Sequence, residues 1–245
     1  MDHLLFVIPI LVFAGIVRGY SGFGFTAIAV VGMNMVFKPQ DSVIIMLALD
    51  LICSIGIWKS AIKDAEYSVL KKLLLGSIIG IPIGHLCLLF IPAVVLKFLI
   101  CVILLLLCIL LFKEYKFIKS EKNSAIIGCG ITSGICTSSA SVGGPIIVYY
   151  MLTSKLSTSI QRSTMILYFV ISEFIALGSL VARGNIEISI IKTIGIVLLP
   201  TLIAVRYGQK LFLKKPPKSL KSFALPVLLV VSILGIFKTS YDLFL

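Results

Sequence analysis

Long apolar runs dominate this chain: Leu73–Phe90, Phe98–Phe112, Ile188 through Val205, and Phe223–Phe237. Each approaches the roughly 20 residues that an α-helix needs to cross a bilayer core of about 30 Å. Two runs near the start, Leu4–Val17 and Phe25–Phe37, are shorter, about 20 Å at about 1.5 Å per residue. They are expected to form a helical hairpin that dips into the membrane. Longer helices are predicted to follow at about 42–58, 73–91 and 93–112. The second half repeats that order, with short helices at about 125–136 and 144–153, then longer ones at about 163–181, 190–207 and 222–238.

Glycine-rich breaks mark the same duplication. Gly15-Ile16-Val17-Arg18-Gly19-Tyr20-Ser21-Gly22-Phe23-Gly24 is echoed by Gly130-Ile131-Thr132-Ser133-Gly134, followed by Thr137 to Val142 and Gly143-Gly144-Pro145. Gly80-Ile81-Pro82-Ile83-Gly84 has a weaker counterpart at Leu199-Pro200-Thr201. The expected fold is an all-α integral membrane protein of two repeats, 1–112 and 125–245, joined by a basic linker at 113–124. Each repeat is a glycine-broken helix hairpin plus three transmembrane helices, about eight to ten helical segments in all. Basic residues orient them. With the repeats inverted, sixteen of the 22 Lys and Arg fall in inner loops (Lys59–Lys72, Lys113–Lys122, Lys155, Arg162 and Arg206–Lys221) and five fall outside, with Arg18 inside the first hairpin. Parallel repeats would divide them about equally, so the positive-inside rule selects inversion.

Composition supports the membrane reading and removes rivals. Hydrophobic residues make up 59% and charged residues 13%, against about 45–50% and about 25% in soluble domains. The net charge of +12 belongs to cytoplasmic loops rather than to a nucleic-acid partner. The Met1-Asp2-His3 start lacks the basic region and cleavage site of a signal peptide, so Leu4–Val17 is kept as the first membrane helix. The six cysteines lie in apolar segments without CxxC or histidine spacing, so no metal, cofactor or disulfide framework is expected. No nucleophile–base constellation for an enzyme is present.

An inverted repeat with two broken helices points to a transporter's midplane site. Helices beginning near Phe25 and Gly144 would aim free N–H groups and partial positive charge at the breaks, which favours an anion. The candidate binding residues are Arg18, Gly19, Tyr20, Ser21, Gly22 and Gly24 in the first break, and Thr137, Ser138, Ser139, Ser141, Gly143 and Gly144 in the second. Neither break carries a carboxylate. The rival reading is that these glycines and serines serve close helix packing. Arg18, costly to bury, calls for a partner: a substrate anion, a structural partner such as Asp50, or the interface by snorkelling. Asp50 and Glu173 lie inside predicted spans at near-equivalent repeat positions, as candidates for a coupling proton or as fixed ion-pair partners. Glu173 is preferred for the proton.

The chain resembles the sulfite exporter TauE/SafE family of membrane permeases over essentially its whole length. The resemblance rests on Gly15-x-x-x-Gly19-x-x-Gly22-x-Gly24, on Gly134 with Gly143-Gly144-Pro145, and on Gln161-Arg162-Ser163-Thr164 leading to Tyr168-Phe169. Phe25 and Thr26 stand where members often carry a further glycine and proline. The resemblance implies a multi-pass protein of the bacterial cytoplasmic membrane that moves sulfite, sulfonates or sulfoacetate. It adds Arg162 as a substrate or gate candidate. The expected partners are a small anionic substrate and the lipid bilayer; the sequence carries no signal of oligomeric state. A non-transporting accessory subunit, or a transporter of another small ion or metabolite, stays open.

Overall fold

The computed structural model describes residues 2–92, 122–182, 184 and 187–217, with single positions within 94–112 and 226–237. The helices predicted at 93–112 and 222–238 and most of the linker at 113–124 fall outside the described residues. Every regular element among the described residues is an α-helix. In the first half these are α1 (Asp2–Ser21), α2 (Phe25–Val36), α3 (Pro39–Ile55), α4 (Trp58–Asp64) and α5 (Tyr67–Phe90). In the second half they are α6 (Asn123–Ala140), α7 (Gly144–Thr153), α8 (Thr158–Ala182) and α9 (Ile188–Lys214).

This is an all-α membrane protein. Helices α5, α8 and α9 are each long and apolar enough to cross a bilayer, with mean hydropathies of 2.2, 2.1 and 2.2. Helices α3 and α4, bent by 69° at the Gly56 junction, together make a fourth candidate. Leu75, Ile79, Ile83 and Leu86 on α5, and Ile191, Leu199 and Ile203 on α9, are exposed on the outside of the bundle. Apolar faces of that extent suit lipid rather than water.

Two expectations about the hairpins are corrected. α1 runs to Ser21 rather than stopping at Val17, although its apolar stretch Val7–Ser21 stays among the shorter apolar helices. Its hydrogen bonding continues through Arg18 because that side chain finds protein partners. It stops where Gly22 (φ 81°) and Gly24 (φ 92°) take left-handed conformations that cost glycine little. Likewise α6 continues through Thr137, Ser138 and Ser139 and ends at Ser141, itself left-handed at φ 59°. The breaks are thus residues 22–24 and 141–143, narrower than the glycine-rich stretches. A third correction concerns the basic residues: Lys59 and Lys63 lie within α4, Lys71 and Lys72 within α5, Arg162 within α8, and Arg206, Lys210 and Lys214 within α9, instead of in loops.

Seven of the remaining glycines close two helix seams. α5 lies along α6, where Gly76, Gly80 and Gly84 meet the backbone of Ile127, Ile131 and Ile135, and Gly130 and Gly134 meet Leu73 and Ser77. α1 lies along α9, with Gly19 against Val205 and Gly208 against Ile16. Four-residue spacing of small residues lets backbones touch, which drives association where lipid is as apolar as the side chains. The first helix of each half thus packs on the last described helix of the other half, and α3 packs against α8 between the two seams.

Candidate functional site

The two breaks face one another across α3 and α8. Between them lies a small pocket lined by Arg18, Gly24, Thr26, Asp50, Thr137, Ser141, Gly143, Gly144, Phe169 and Glu173. Its empty space, counted out to an open mouth, is about 240 Å³.

Each wall has a local cause. The turn at Gly22 to Gly24 starts α2 at Phe25, and no side chain caps that end. The turn at Ser141 to Gly143 starts α7 at Gly144, with Pro145 in its first turn and again no side-chain cap. Two helix N-termini with uncapped N–H groups therefore border one cavity. From α6, Thr137 and Ser141 reach it with hydroxyls that are only 3% and 2% exposed by residue. Neither Thr137 Oγ1 nor Ser141 Oγ has a hydrogen-bond partner among the described residues. Buried polar groups are normally bonded, so these two hydroxyls are open to a partner in the pocket.

The charged wall comes from α1, α3 and α8. Arg18 Nε lies 2.7 Å from Asp50 Oδ1, both side chains being buried. The approach is that of an ion pair without the alignment of a hydrogen bond, since neither atom makes one. Arg18 Nη2 donates to Ser54 Oγ at 2.8 Å and Nη1 to the Gly22 carbonyl at 2.6 Å. The guanidinium carbon sits 5.0 Å from the centre of the Phe169 ring, within cation–π range. Glu173 stands beside Asp50 and within the field of Arg18, and its Oε2 accepts no hydrogen bond. The breaks lack carboxylates in sequence, yet folding brings two carboxylates between them.

Of the residues singled out from sequence, Arg18, Gly24, Asp50, Thr137, Ser141, Gly143, Gly144 and Glu173 line this pocket. The others lie elsewhere. Gly19 is pressed against α9 at Val205. Tyr20 packs edge-on to Phe212, ring centres 6.1 Å apart. Ser21 Oγ lies 2.8 Å from the Val17 carbonyl, closing the end of α1, and Gly22 offers its carbonyl to Arg18. Ser138 Oγ bonds the Ile81 carbonyl at 2.8 Å, tying α6 to α5, and Ser139 is buried outside the pocket lining. Arg162 donates to the Gly19 and Tyr20 carbonyls at 2.6 and 3.1 Å and stacks 4.0 Å from the Phe212 ring centre. It satisfies the free carbonyls at the C-terminus of α1.

Three residues at or behind the pocket were not among the site candidates: Ser54, behind Arg18, and Thr26 and Phe169 in the lining, which entered only through the family resemblance. Helical spacing would have found two of them. Ser54 follows Asp50 by one turn on α3, and Phe169 precedes Glu173 by one turn on α8, so each shares a face with its acid. Among the described residues, no group of three His, Cys, Asp or Glu side chains is placed to hold a metal ion.

Comparison with known proteins adds one finding. The model of the sulfite exporter TauE/SafE family matches residues 7–234, nearly the whole chain. No curated protein and no solved structure matches it.

Proposed function

This chain belongs to the sulfite exporter TauE/SafE family of membrane transporters, and we propose that it is a secondary transporter carrying a small oxyanion through the pocket between α2, α6 and α7. The observation that carries this reading is the convergence of two uncapped helix N-termini and two buried hydroxyls, partnerless among the described residues, on one small cavity. Helix N-termini attract anions through free N–H groups and partial positive charge, and hydroxyl donors suit an ion with several oxygens. Sulfite, a sulfonate or sulfoacetate fits that description and the family's name. The chain holds no Gly-x-x-x-x-Gly-Lys-Ser/Thr phosphate loop, so its energy source is an ion gradient. Asp50 and Glu173 are the coupling candidates, Glu173 foremost. The expected setting is a bacterial cytoplasmic membrane.

The direct test is counterflow of labelled sulfite, taurine or sulfoacetate in proteoliposomes. Accelerated exchange is expected in the parent. Thr137→Val combined with Ser141→Gly should lower it at least tenfold, since a hydrogen bond to a charged group is worth about 1.5–3 kcal/mol. Thermal stability should hardly change, because neither hydroxyl bonds to another described residue and glycine accepts the left-handed conformation at 141. Absence of anion counterflow in the parent would favour a non-transporting accessory subunit.

Topology is tested separately. The reciprocal packing of α1 on α9 and α6 on α5 is what two halves related by a two-fold axis would produce, and the basic residues favour inverted halves with residues 59–72 and the stretch after α9 inside. In a background without native cysteines, single cysteines at Lys63 and Lys215 should both resist an impermeant thiol reagent in intact cells. Labelling at Lys215 alone would overturn the inversion.

A further inference from the structure

The ionisable groups of the pocket do not balance. Arg18 brings one positive charge, and Asp50 and Glu173 bring two carboxylates. The guanidinium is held by Asp50 at 2.7 Å, by Ser54 at 2.8 Å and by the Gly22 carbonyl at 2.6 Å. Glu173 is left facing the cavity, 3% exposed, with Oε2 unbonded and Asp50 beside it. Two carboxylates that share one cation away from water repel one another. An anion seated at Thr137 and Ser141 would add a third negative charge against one positive.

We infer from this count that the pocket accepts an anion only when Glu173 carries a proton, so that each anion bound brings one proton with it. The inference rests on the anion-site reading above and specifies how the coupling works. Charge balances: the incoming proton forms an O–H bond on the Glu173 carboxylate, the added anion restores the original net charge, and no bond in the anion changes. Protonated Glu173 becomes a donor. It then joins Thr137 and Ser141 as a third hydroxyl facing the anion, which an ionised carboxylate would repel.

The surroundings single out Glu173. Of the helices packed against α8, α1 faces Glu173 with Arg18, and α3 with Asp50 and Cys53. α6 brings Thr137 and Ser141 to the pocket and the thiols of Cys129 and Cys136 toward Tyr168; α7 brings its N-terminal Gly144. α5 brings His85, which lies 3.4 Å from Ser179 Oγ, further along α8. The charged residues of α4, Lys59, Lys63 and Asp64, are exposed. Asp50 has the guanidinium as partner. Glu173 has Asp50 as its hydrogen-bonding neighbour, lies further from the guanidinium's direct contacts, and lines the cavity.

Binding of sulfate or methanesulfonate to the purified full chain tests this, since neither probe changes charge where carboxylates titrate in proteins. In the parent, Kd should weaken about tenfold per pH unit once Glu173 loses its proton. Glu173→Gln, a neutral stand-in for the protonated acid, should bind with an affinity that no longer depends on pH. Addition of the probe to the parent in weak buffer should take up one proton per anion, a measurement that needs no variant. A flat pH profile in the parent, the parental slope retained in Glu173→Gln, or binding without proton uptake would each overturn the linkage while leaving an anion site. Failure of both probes to bind parent and variant at any pH would instead remove the anion site itself, and the linkage with it.

Discussion

Arg18→Ala should destabilise the folded protein by about 3–5 kcal/mol, the range found when one partner of a buried ion pair is removed and the other is left uncompensated. Asp50 lies 2.7 Å from the guanidinium and is buried with it, so truncation strands a carboxylate already next to Glu173. Ser54 loses its donor, and the Gly22 carbonyl loses the bond that holds the turn into α2. The double variant Arg18→Ala/Asp50→Asn should regain at least half of the lost stability, because it leaves no unpaired charge at either position. Thermal unfolding of the two variants in detergent checks both statements. An Arg18→Ala protein as stable as its parent but unable to bind anions would instead make Arg18 a direct ligand of the substrate.

Gly80→Val should yield no monodisperse protein. A Cβ at residue 80 would overlap the Ile131 carbonyl oxygen, a backbone atom that cannot rotate aside, and Gly76 and Gly84 are in similar contact on either side. Relief requires α5 and α6 to separate along the whole seam. That loss is larger than the roughly 1–3 kcal/mol of ordinary overpacking and comparable with the roughly 5–15 kcal/mol that holds a typical protein folded. Gly128→Ala and Gly178→Ala are the controls, since a Cβ at either meets nothing within 4 Å. They should be neutral, or stabilising by about 0.5–1 kcal/mol through helix propensity. A Gly80→Val protein that elutes and unfolds like the parent would show that the seam can open without loss of the fold.

The contrast between Gly80 and Gly22 shows where reading the sequence reaches its limit. Both sit in glycine-rich stretches and look alike in one dimension. In the structure Gly80 is a packing glycine inside a straight seam, whereas Gly22 has a left-handed backbone that ends α1. The packing reading of the glycines is thus right for Gly19 and Gly80, and the break reading for Gly22 and Gly24. Only φ and the identity of the neighbour separate them. The same limit explains the helix ends: apolar run length placed α1 short, because Arg18 reads as the end of a membrane segment until its partners on α3 are known.

What the sequence determined alone was the solvent and the secondary structure. Runs near 20 residues with almost no charge can satisfy their backbone in lipid only as helices, so the all-α membrane fold and the short helix beginning at Gly144 were legible without coordinates. Arg18, Asp50, Thr137, Ser141 and Glu173, which line the pocket, were among the candidates legible in the sequence, and so were Tyr20, Ser21, Ser138, Ser139 and Arg162, which lie elsewhere. Asp50 was one of three partners open to Arg18, and the sequence could not choose among them. Asp50 lies 32 positions from Arg18 and Glu173 lies 123 from Asp50 in the chain, and helix periodicity gives the face of each helix but not the helix that faces it. The packing of α3 against α8, held between two glycine seams, decided that Arg18 meets Asp50 and that Glu173 is left facing the pocket. That arrangement follows from close approach of backbones, a property of the folded molecule that no local pattern in the sequence records.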